Sequence, residues 1–310
     1  MYQRTLAKST RLLIDREPLG NKKMEAIIHP ARPNTGRVFK VGKNTIEARL
    51  KYAQAKNGAM LLENQYLSVI HCEHVLGVLE VFEIDNAIIE LKQIDSLSYN
   101  IMKFFKLNTK TIAFPNFEHR EYELCQALLE AGTVEQNSKV NFITISEEMG
   151  DDNFKLIPRK GSLTIKVFTN YPNLLDKGEA EYTFDGLEKS KKRYADNISK
   201  ARPYLNAPGI FNHKVWLEIG KRIAGIFYYP SYGWGHGINE SNQFFYPHNI
   251  KNIKSDNWNK NEIAEHSLTD RIGEISLLGG RLVDIEIIAR RSSHHNTLKF
   301  LKYYFPEELI

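Results

Sequence analysis

The stretch EHVLGVLEVFEIDNAIIEL, residues 73–91, decides the predicted fold of this chain. It predicts a helix at 72–82 that leads into a strand, NAIIEL, at 86–91. The stretch EHSLTDRIGEISLLGGRLVDIEII, residues 265–288, repeats this pattern, since a Glu–His pair again opens a helix that leads into a strand. Such an internal repeat predicts two domains of similar topology, each of which offers a helix to a shared cleft.

The segments on either side of these stretches contain short β-type runs separated by turn signals. They are MEAIIHP, RVFKV, AMLLEN and LSVI in the first half, and VNFITISEE, FKLIPR and SLTIKVF in the second. Further helices are predicted at 118–131, where Gly132 occupies the position of a C-cap glycine, and within 186–201, which has helical composition. We therefore predict an α+β fold whose two domains each layer a β-sheet with helices.

The boundary between these domains is predicted in a polar segment, TVEQNSK at 133–139, which has the composition of a linker. The N-terminal domain would span residues 1–136 and carry the first Glu–His motif, and the C-terminal domain would span 137–310. Residues 227–249 are dense in aromatic residues, Gly and Asn without helix or strand periodicity, so we expect a long ordered loop that forms a lid or a binding surface.

The composition argues against several classes of protein. The chain has 310 residues with 42% hydrophobic content, and 42 Lys+Arg against 37 Asp+Glu leave a formal net charge of only +5. The basic residues are scattered apart from a run at 189–193, which we expect to form a solvated helix face rather than a nucleic-acid surface. Two cysteines provide no disulfide framework, and neither a secretory signal nor a membrane span is evident, so we expect a soluble, cytoplasmic protein.

A pair of potential metal ligands lies in AEHSLTDRIGE, residues 264–274. His266 and Asp270 are four residues apart, so on a helix both side chains lie on one face, and Glu274 continues the same stripe. Taken alone, this spacing is more often that of a surface ion pair. His74 completes a set of two histidines and one aspartate with a position left for water, which is the arrangement expected of a catalytic zinc site.

Other titratable residues accompany these potential ligands. Glu73 points about 100° away from its histidine neighbour on the same helix, so it can act as a general base toward water at the metal. His71 is an alternative ligand, whereas Cys72 is expected to be a small buried hydrophobic residue. His294 and His295 follow a strand-like segment, where a histidine can protonate a leaving amine or stabilise an oxyanion, although surface histidines are also common at such positions.

Several stretches, taken in order, are similar to those of one known family. The chain resembles the zinc-dependent UDP-3-O-acyl-N-acetylglucosamine deacetylases of lipid A biosynthesis over nearly its full length. The matching stretches are QRTLAKS, RPNTGRVF, CEHVLGVLEVFEIDNAIIEL, LLEAG, ISKARPY, HSLTDRIGEISLLGG and RRSSHH.

The resemblance implies a role for each matching residue. It implies that His74, His266 and Asp270 are the zinc ligands. It also implies that Glu73 is the general base and that His294 is the charged general acid.

The chain also departs from the family at several positions. Glu274 stands where the family has Asp as the carboxylate that orients the acid. DREPLGN at 15–21 replaces a glycine-rich stretch, and FEHRE at 117–121 replaces MDGSA. Pro203 stands where a threonine is expected to help hold the oxyanion, and Ser267 where a lysine is expected to contact nucleotide phosphates. The resemblance therefore implies that the chemistry is retained while the substrate contacts are altered.

The predicted function is that of a zinc-dependent amide hydrolase acting on an N-acyl group, with an N-acetylated amino sugar or nucleotide sugar as its small-molecule partner. Tyr204, Ser267 and Trp234 are the expected substrate contacts. Three alternatives remain open: a hydrolase acting on a different N-acyl compound, a non-catalytic or regulatory metal-binding relative, and an Fe(II) enzyme of oxygen chemistry, which would also use two histidines and a carboxylate.

Overall fold

The described part of the chain combines strands and helices throughout. A computed structural model describes residues 1–15, 23–56, 59–93, 111–113, 115, 117, 120–169, 178–201, 204–206, 243–245 and 261–309. The α-helices within these ranges are α1 (Glu73–Val81), α2 (Glu121–Ala131), α3 (Leu187–Asp196), α4 (Glu262–Ile275) and α5 (His294–Tyr304).

The strands fall into two groups along the chain. The first group is β1 (Tyr2–Leu6), β2 (Thr10–Asp15), β3 (Lys23–Pro30), β4 (Arg37–Val41), β5 (Asn44–Glu47), β6 (Ala53–Lys56), β7 (Ala59–Glu63), β8 (Leu67–Ile70), β9 (Ala87–Gln93) and β10 (Thr111–Ala113). The second group is β11 (Thr133–Lys139), β12 (Phe142–Ile143), β13 (Met149–Gly150), β14 (Phe154–Pro158), β15 (Thr164–Phe168), β16 (Glu179–Thr183), β17 (Tyr204–Asn206), β18 (Gln243–Phe245), β19 (Arg281–Leu282) and β20 (Ile285–Arg290).

Two five-stranded sheets share one topology. The first has the spatial order β2-β3-β9-β4-β5 and the second the order β13-β14-β20-β15-β16. In each, the central strand is parallel to one neighbour and antiparallel to the other: β9 pairs with β4 and β3, and β20 pairs with β15 and β14. A helix precedes each central strand, α1 before β9 and α4 before β20. The predicted α+β fold with two similar halves is therefore confirmed.

Smaller sheets connect or extend these two halves. A four-stranded sheet, β10-β8-β7-β6, lies in the first half, and β17 pairs with β18 in the second. Within the second half, β12 pairs with β19. One pairing joins the halves, because β1 of the first group pairs with β11 of the second. Arg281 of β19 reinforces this junction through Asp85 and Glu83, each with an oxygen 2.6 Å from the guanidinium.

The two helices α1 and α4 form the middle of the hydrophobic core. All residues of α1 are buried, and every residue of α4 except Glu265 is buried as well. A helix that is buried on all sides must lie between other layers rather than on the surface. The polar side chains of these two helices therefore lie inside the protein, where each needs a partner.

Most of the predicted elements are confirmed, with small shifts. The helix predicted at 72–82 is α1, and α2 ends at Ala131, where the N–H of Gly132 donates to the Leu128 carbonyl at φ +69°. The predicted strand at 86–91 is β9. The helical segment within 186–201 is α3, followed by a 3₁₀ turn at Ile198–Lys200.

Three interpretations of the sequence need correction or fall outside the described residues. The linker predicted at 133–139 is wrong, because these residues form β11 in antiparallel pairing with β1. The basic run is only partly a solvated face: Lys189 and Lys192 are exposed, but Lys191 is buried with its amine 5.7 Å from the Phe82 ring centre. Of the loop predicted at 227–249, only 243–245 are described, and they form a strand.

None of the described helices is both long and apolar enough to cross a bilayer.

Candidate active site

The candidate site lies where α1 and α4 cross. The helices run antiparallel, since Gly273 of α4 lies against Glu73 at the start of α1, while Gly77, further along α1, faces Thr269. A Cβ at position 273 would lie 2.2 Å from the carbonyl oxygen of Glu73, so only glycine fits there. This backbone contact brings the first turn of α1 against the polar stripe of α4.

Two histidines and one aspartate meet at this crossing. His74 Nε2 lies 3.5 Å from Asp270 Oδ1, and the rings of His74 and His266 have centroids 4.8 Å apart. The ligand atoms of all three residues lie within 4.8 Å of one another, and all three side chains are buried. Imidazole nitrogen and carboxylate oxygen are the donors of many catalytic zinc sites, so the cluster fits a divalent metal ion.

Glu121 orients the first of these histidines. The Nδ1 atom of His74 donates a hydrogen bond to Glu121 Oε1 at 2.8 Å, and both side chains are buried. The bond fixes the tautomer and turns Nε2 toward Asp270. A carboxylate behind a histidine ligand commonly serves this purpose and makes the histidine a stronger ligand. The residue composition around position 121 gave no sign of this role.

Glu73 lies beside the cluster with one oxygen toward His294. Its Oε1 is 3.6 Å from Nε2 of His294, and its buried Oε2 makes no hydrogen bond with the described residues. Burial raises the pKa of Glu73 above its ordinary value, against the opposing effect of the neighbouring histidines. A buried carboxylate with an oxygen available beside a group of possible metal ligands is suited to accept a proton from water.

His294, the first residue of α5, is held by Glu274. Its Nδ1 donates a hydrogen bond to Glu274 Oε1 at 2.7 Å. Burial opposes the imidazolium, but Asp270, the hydrogen bond to Glu274 and the charge of Glu73 outweigh it and raise the pKa of His294 from 6.5 to about 9. The histidine is therefore arranged to carry a proton at neutral pH with Nε2 facing the site.

The surroundings of Asp270 favour its ionised form. Burial would raise its pKa, but the positive charges of His294, His266 and other neighbours lower it below the ordinary value. An ionised aspartate is the form that binds a metal.

Arg271, which the sequence did not single out, completes the buried network. It is 1% exposed, and its Nε lies 2.9 Å from the second oxygen of Glu274. The spacing of three residues between Arg271 and Glu274 on one helix was a signal that could have identified this pair.

The structure brings together all six residues predicted as ligands or catalytic groups: Glu73, His74, His266, Asp270, Glu274 and His294. Their roles remain predictions. Of the predicted substrate contacts, Ser267 is buried on α4 and Tyr204 lies in β17, while Trp234 is outside the described residues, as is Pro203. His295 follows His294 on α5 but is exposed.

The two other residues near the motif take different places. Cys72 is fully buried, and burial raises the pKa of its thiol well above the ordinary value, in agreement with a small hydrophobic residue. His71 adopts a left-handed backbone conformation, φ +58°, with Nδ1 3.8 Å from Glu73 Oε1. It therefore adjoins the proposed base, and the cluster of possible ligands contains His74 instead.

The fold and the site together define an α+β protein of two similar halves, with a cluster of two histidines and one aspartate between paired helices. Comparison with known families gives the particular family. The model of the LpxC family, described as UDP-3-O-acyl N-acetylglycosamine deacetylase, matches residues 18–215, and the chain belongs to this family.

Individual curated proteins are similar over most of the chain. A protein from Thermodesulfovibrio yellowstonii is 24% identical over 91% of this chain and 84% of its own length. One from Campylobacter fetus is 26% identical over 84% of this chain and 77% of its own length, and one from Campylobacter hominis is 24% identical over 95% and 88%. All three are named UDP-3-O-acyl-N-acetylglucosamine deacetylase.

Proposed function

We propose that this chain is a zinc-dependent amide hydrolase that removes an N-acyl group, an N-acetyl group in the first instance, from an amino sugar or nucleotide sugar. The observation that carries this proposal is the position of Glu73 and His294 beside the cluster of His74, His266 and Asp270. A base and an acid that face each other beside the ligands of one metal ion match the needs of amide hydrolysis.

The cluster supports zinc as the metal. Three protein ligands of the nitrogen and oxygen type, with room for water, are typical of catalytic rather than structural zinc sites. When bound there, zinc would polarise the acyl carbonyl and lower the pKa of a coordinated water. Within the described residues, Glu121 adds the supporting carboxylate that such a site commonly has behind a histidine.

The protein residues would then carry the proton through the reaction. Glu73 accepts a proton from the attacking water while the water oxygen bonds to the acyl carbon. His294, held in its charged form by Glu274, stabilises the negative charge that develops on the carbonyl oxygen. His294 then donates its proton to the nitrogen as the C–N bond breaks, which releases a free amine and a carboxylate.

The substrate contacts are proposed to differ from those of the named relatives. Those relatives are deacetylases of UDP-3-O-acyl-N-acetylglucosamine by name, which supports an acylated UDP-amino sugar as the first compound to test. Ser267, buried next to the proposed ligand His266, cannot supply the positive charge that the resemblance leads one to expect there. We therefore expect poorer turnover of this lipid A precursor than of another N-acyl compound.

The decisive experiment is an amine-release assay on the zinc-loaded protein. The panel comprises UDP-3-O-acyl-N-acetylglucosamine, its counterpart without the O-acyl chain, and simple N-acetylated sugars, with Glu73→Gln as the control variant. Release of amine by the wild type and not by the control supports the proposal. Efficient hydrolysis of the lipid A precursor above all others would refute the altered substrate contacts, and zinc-loaded protein that releases amine from no compound would refute the hydrolase.

A further inference from the structure

Arg271 is the largest side chain buried almost completely in the described part of the chain. It is 1% exposed although it carries a permanent positive charge. Removing such a charge from water costs several kcal/mol unless opposite charges and hydrogen-bond acceptors surround it. Its partners therefore indicate what the residue does.

The guanidinium contacts the carboxylate that holds His294 and two hydroxyl groups on either side of that histidine in the chain. Its Nε lies 2.9 Å from Glu274 Oε2, whereas the other oxygen of Glu274 accepts the hydrogen bond from His294 Nδ1. Its Nη1 donates to Ser292 Oγ at 3.0 Å and to Thr297 Oγ1 at 2.9 Å. Ser292 precedes His294 in the chain and Thr297 follows it one turn into α5, so Arg271 bonds to side chains on both sides of that histidine.

These contacts bear on the orientation of the histidine ring, because Glu274 is the residue that holds it. Glutamate has a long side chain that loses considerable rotamer freedom when it is ordered. The hydrogen bond to His294 occupies only one oxygen of the Glu274 carboxylate, and Arg271 places its positive charge beside the other. The planar guanidinium can hold Glu274 and two hydroxyls at once, which the ammonium of a lysine cannot do with the same geometry.

The electrostatic surroundings of Arg271 are rich in negative charge. Four buried carboxylates gather around the site, on Glu73, Glu121, Asp270 and Glu274. The Nη2 atom of Arg271 lies 3.7 Å from Asp270 Oδ2, so the guanidinium lies between the proposed ligand and the carboxylate that holds the acid.

We propose that Arg271 is a positioning residue, which fixes Glu274 and the start of α5. His294 Nε2 then faces Glu73 and the cluster of possible metal ligands. This role in catalysis rests on the proposed function, whereas the effect on the orientation of His294 does not. Arg271 itself does not touch the substrate in this proposal. It acts through Glu274, and its contribution should disappear when Glu274 can no longer hold the histidine.

The test is a double-mutant cycle with Arg271→Met and Glu274→Gln in the zinc-loaded protein. We expect Arg271→Met to lower kcat by about 10–100-fold, as misplaced catalytic groups do, with little change in KM and no loss of zinc. In the Glu274→Gln background the same substitution should lower kcat by less than about threefold, because coupled residues are not additive. Equal losses in both backgrounds, or an unchanged kcat, would overturn the proposal.

Arg37→Met is the matched control. Arg37 is also a buried arginine, with its guanidinium 2.7 Å from Glu80 at the other end of α1. Its loss should lower the midpoint of thermal unfolding to a similar extent and leave kcat unchanged. If it lowered kcat as strongly as Arg271→Met, the effect would be general destabilisation and the positioning role would be refuted. Arg271→Lys keeps the positive charge but lacks the planar guanidinium with its several N–H donors. We expect this variant to fold and to have a kcat between those of Arg271→Met and the wild type.

A second measurement does not depend on activity. NMR of isotope-labelled histidine in the zinc-loaded protein reports the proton that His294 Nδ1 shares with Glu274. This signal should be present in the wild type and in Arg37→Met, and lost or exchange-broadened in Arg271→Met. Its persistence in Arg271→Met would refute the positioning role even if no N-acyl substrate were found. Its loss would support that role even if the proposed function failed.

Discussion

Replacement of Gly273 by alanine would test whether the helix crossing sets the geometry of the site. The new Cβ would lie 2.2 Å from the carbonyl oxygen of Glu73 and 2.9 Å from its Cα. Non-bonded contacts between such atoms have their optimum near 3.5 Å, so α1 and α4 would have to separate by about 1 Å. The group that moves first is Glu73 itself, followed by His74 one residue later.

The size of the effect follows from this displacement. Overpacking of a well-packed core costs about 1–3 kcal/mol of the free energy of unfolding. A displacement of about 1 Å in a catalytic group lowers the rate by about 10²-fold. We therefore expect Gly273→Ala to fold with reduced stability, to bind zinc less tightly and to hydrolyse its substrate about 10²-fold more slowly.

Urea unfolding, zinc titration and amine release together measure these three quantities. Gly77→Ala is the graded control, since a Cβ there would lie 3.0 Å from the Thr269 carbonyl oxygen, which requires a much smaller movement. Its effects should be in the same direction and clearly weaker. A Gly273→Ala variant with the zinc affinity and rate of the wild type would refute the reasoning that this backbone contact places Glu73 and His74.

Four further substitutions test the roles assigned within the site. His266→Ala should abolish stoichiometric zinc binding in metal analysis; retention of one zinc per chain would contradict its assignment as a ligand. Glu73→Gln should keep the zinc and lose about 10²–10⁴-fold in rate, whereas loss of zinc would show that it is a ligand. Glu121→Gln should weaken zinc binding by about 10–100-fold in a competition titration, and unchanged affinity would exclude the supporting role. The rate against pH should be bell-shaped, and its fall at high pH should come from His294, because the raised pKa of about 9 keeps this histidine protonated below that pH. Glu274→Gln removes a partner of the charged form, so the fall should begin at lower pH. A fall at the same pH as in the wild type would exclude Glu274 as the orienting group.

The repeated sheet topology could be predicted because its signals are local. The stretch at 73–91 and the stretch at 265–288 both carry a complete helix and the following strand within a short range of the chain. The helix and strand periodicities are properties of neighbouring residues, so they are present in the sequence before any tertiary contact forms. The same locality explains why His266 and Asp270 could be placed on one helix face.

The features that the sequence did not predict depend on distant partners. The polar segment 133–139 resembles a linker because all seven of its residues are at least partly exposed in β11, and its partner β1 lies at the start of the chain. The bond between Glu121 and His74 spans 47 residues. A buried charge such as Arg271 contradicts the usual distribution of arginine, so only its tertiary partners explain it.

The antiparallel crossing explains why two similar halves produce one asymmetric site. When equivalent helices run in opposite directions, the start of one meets the later turns of the other, as Glu73 meets Gly273. This arrangement places the proposed base of α1 and the orienting carboxylate of α4, Glu274, near the same point, and His294 lies between them with one nitrogen toward each. The proposed base Glu73 and the proposed ligands therefore share one helix–helix contact, so we expect a change in that contact to alter zinc affinity and rate together.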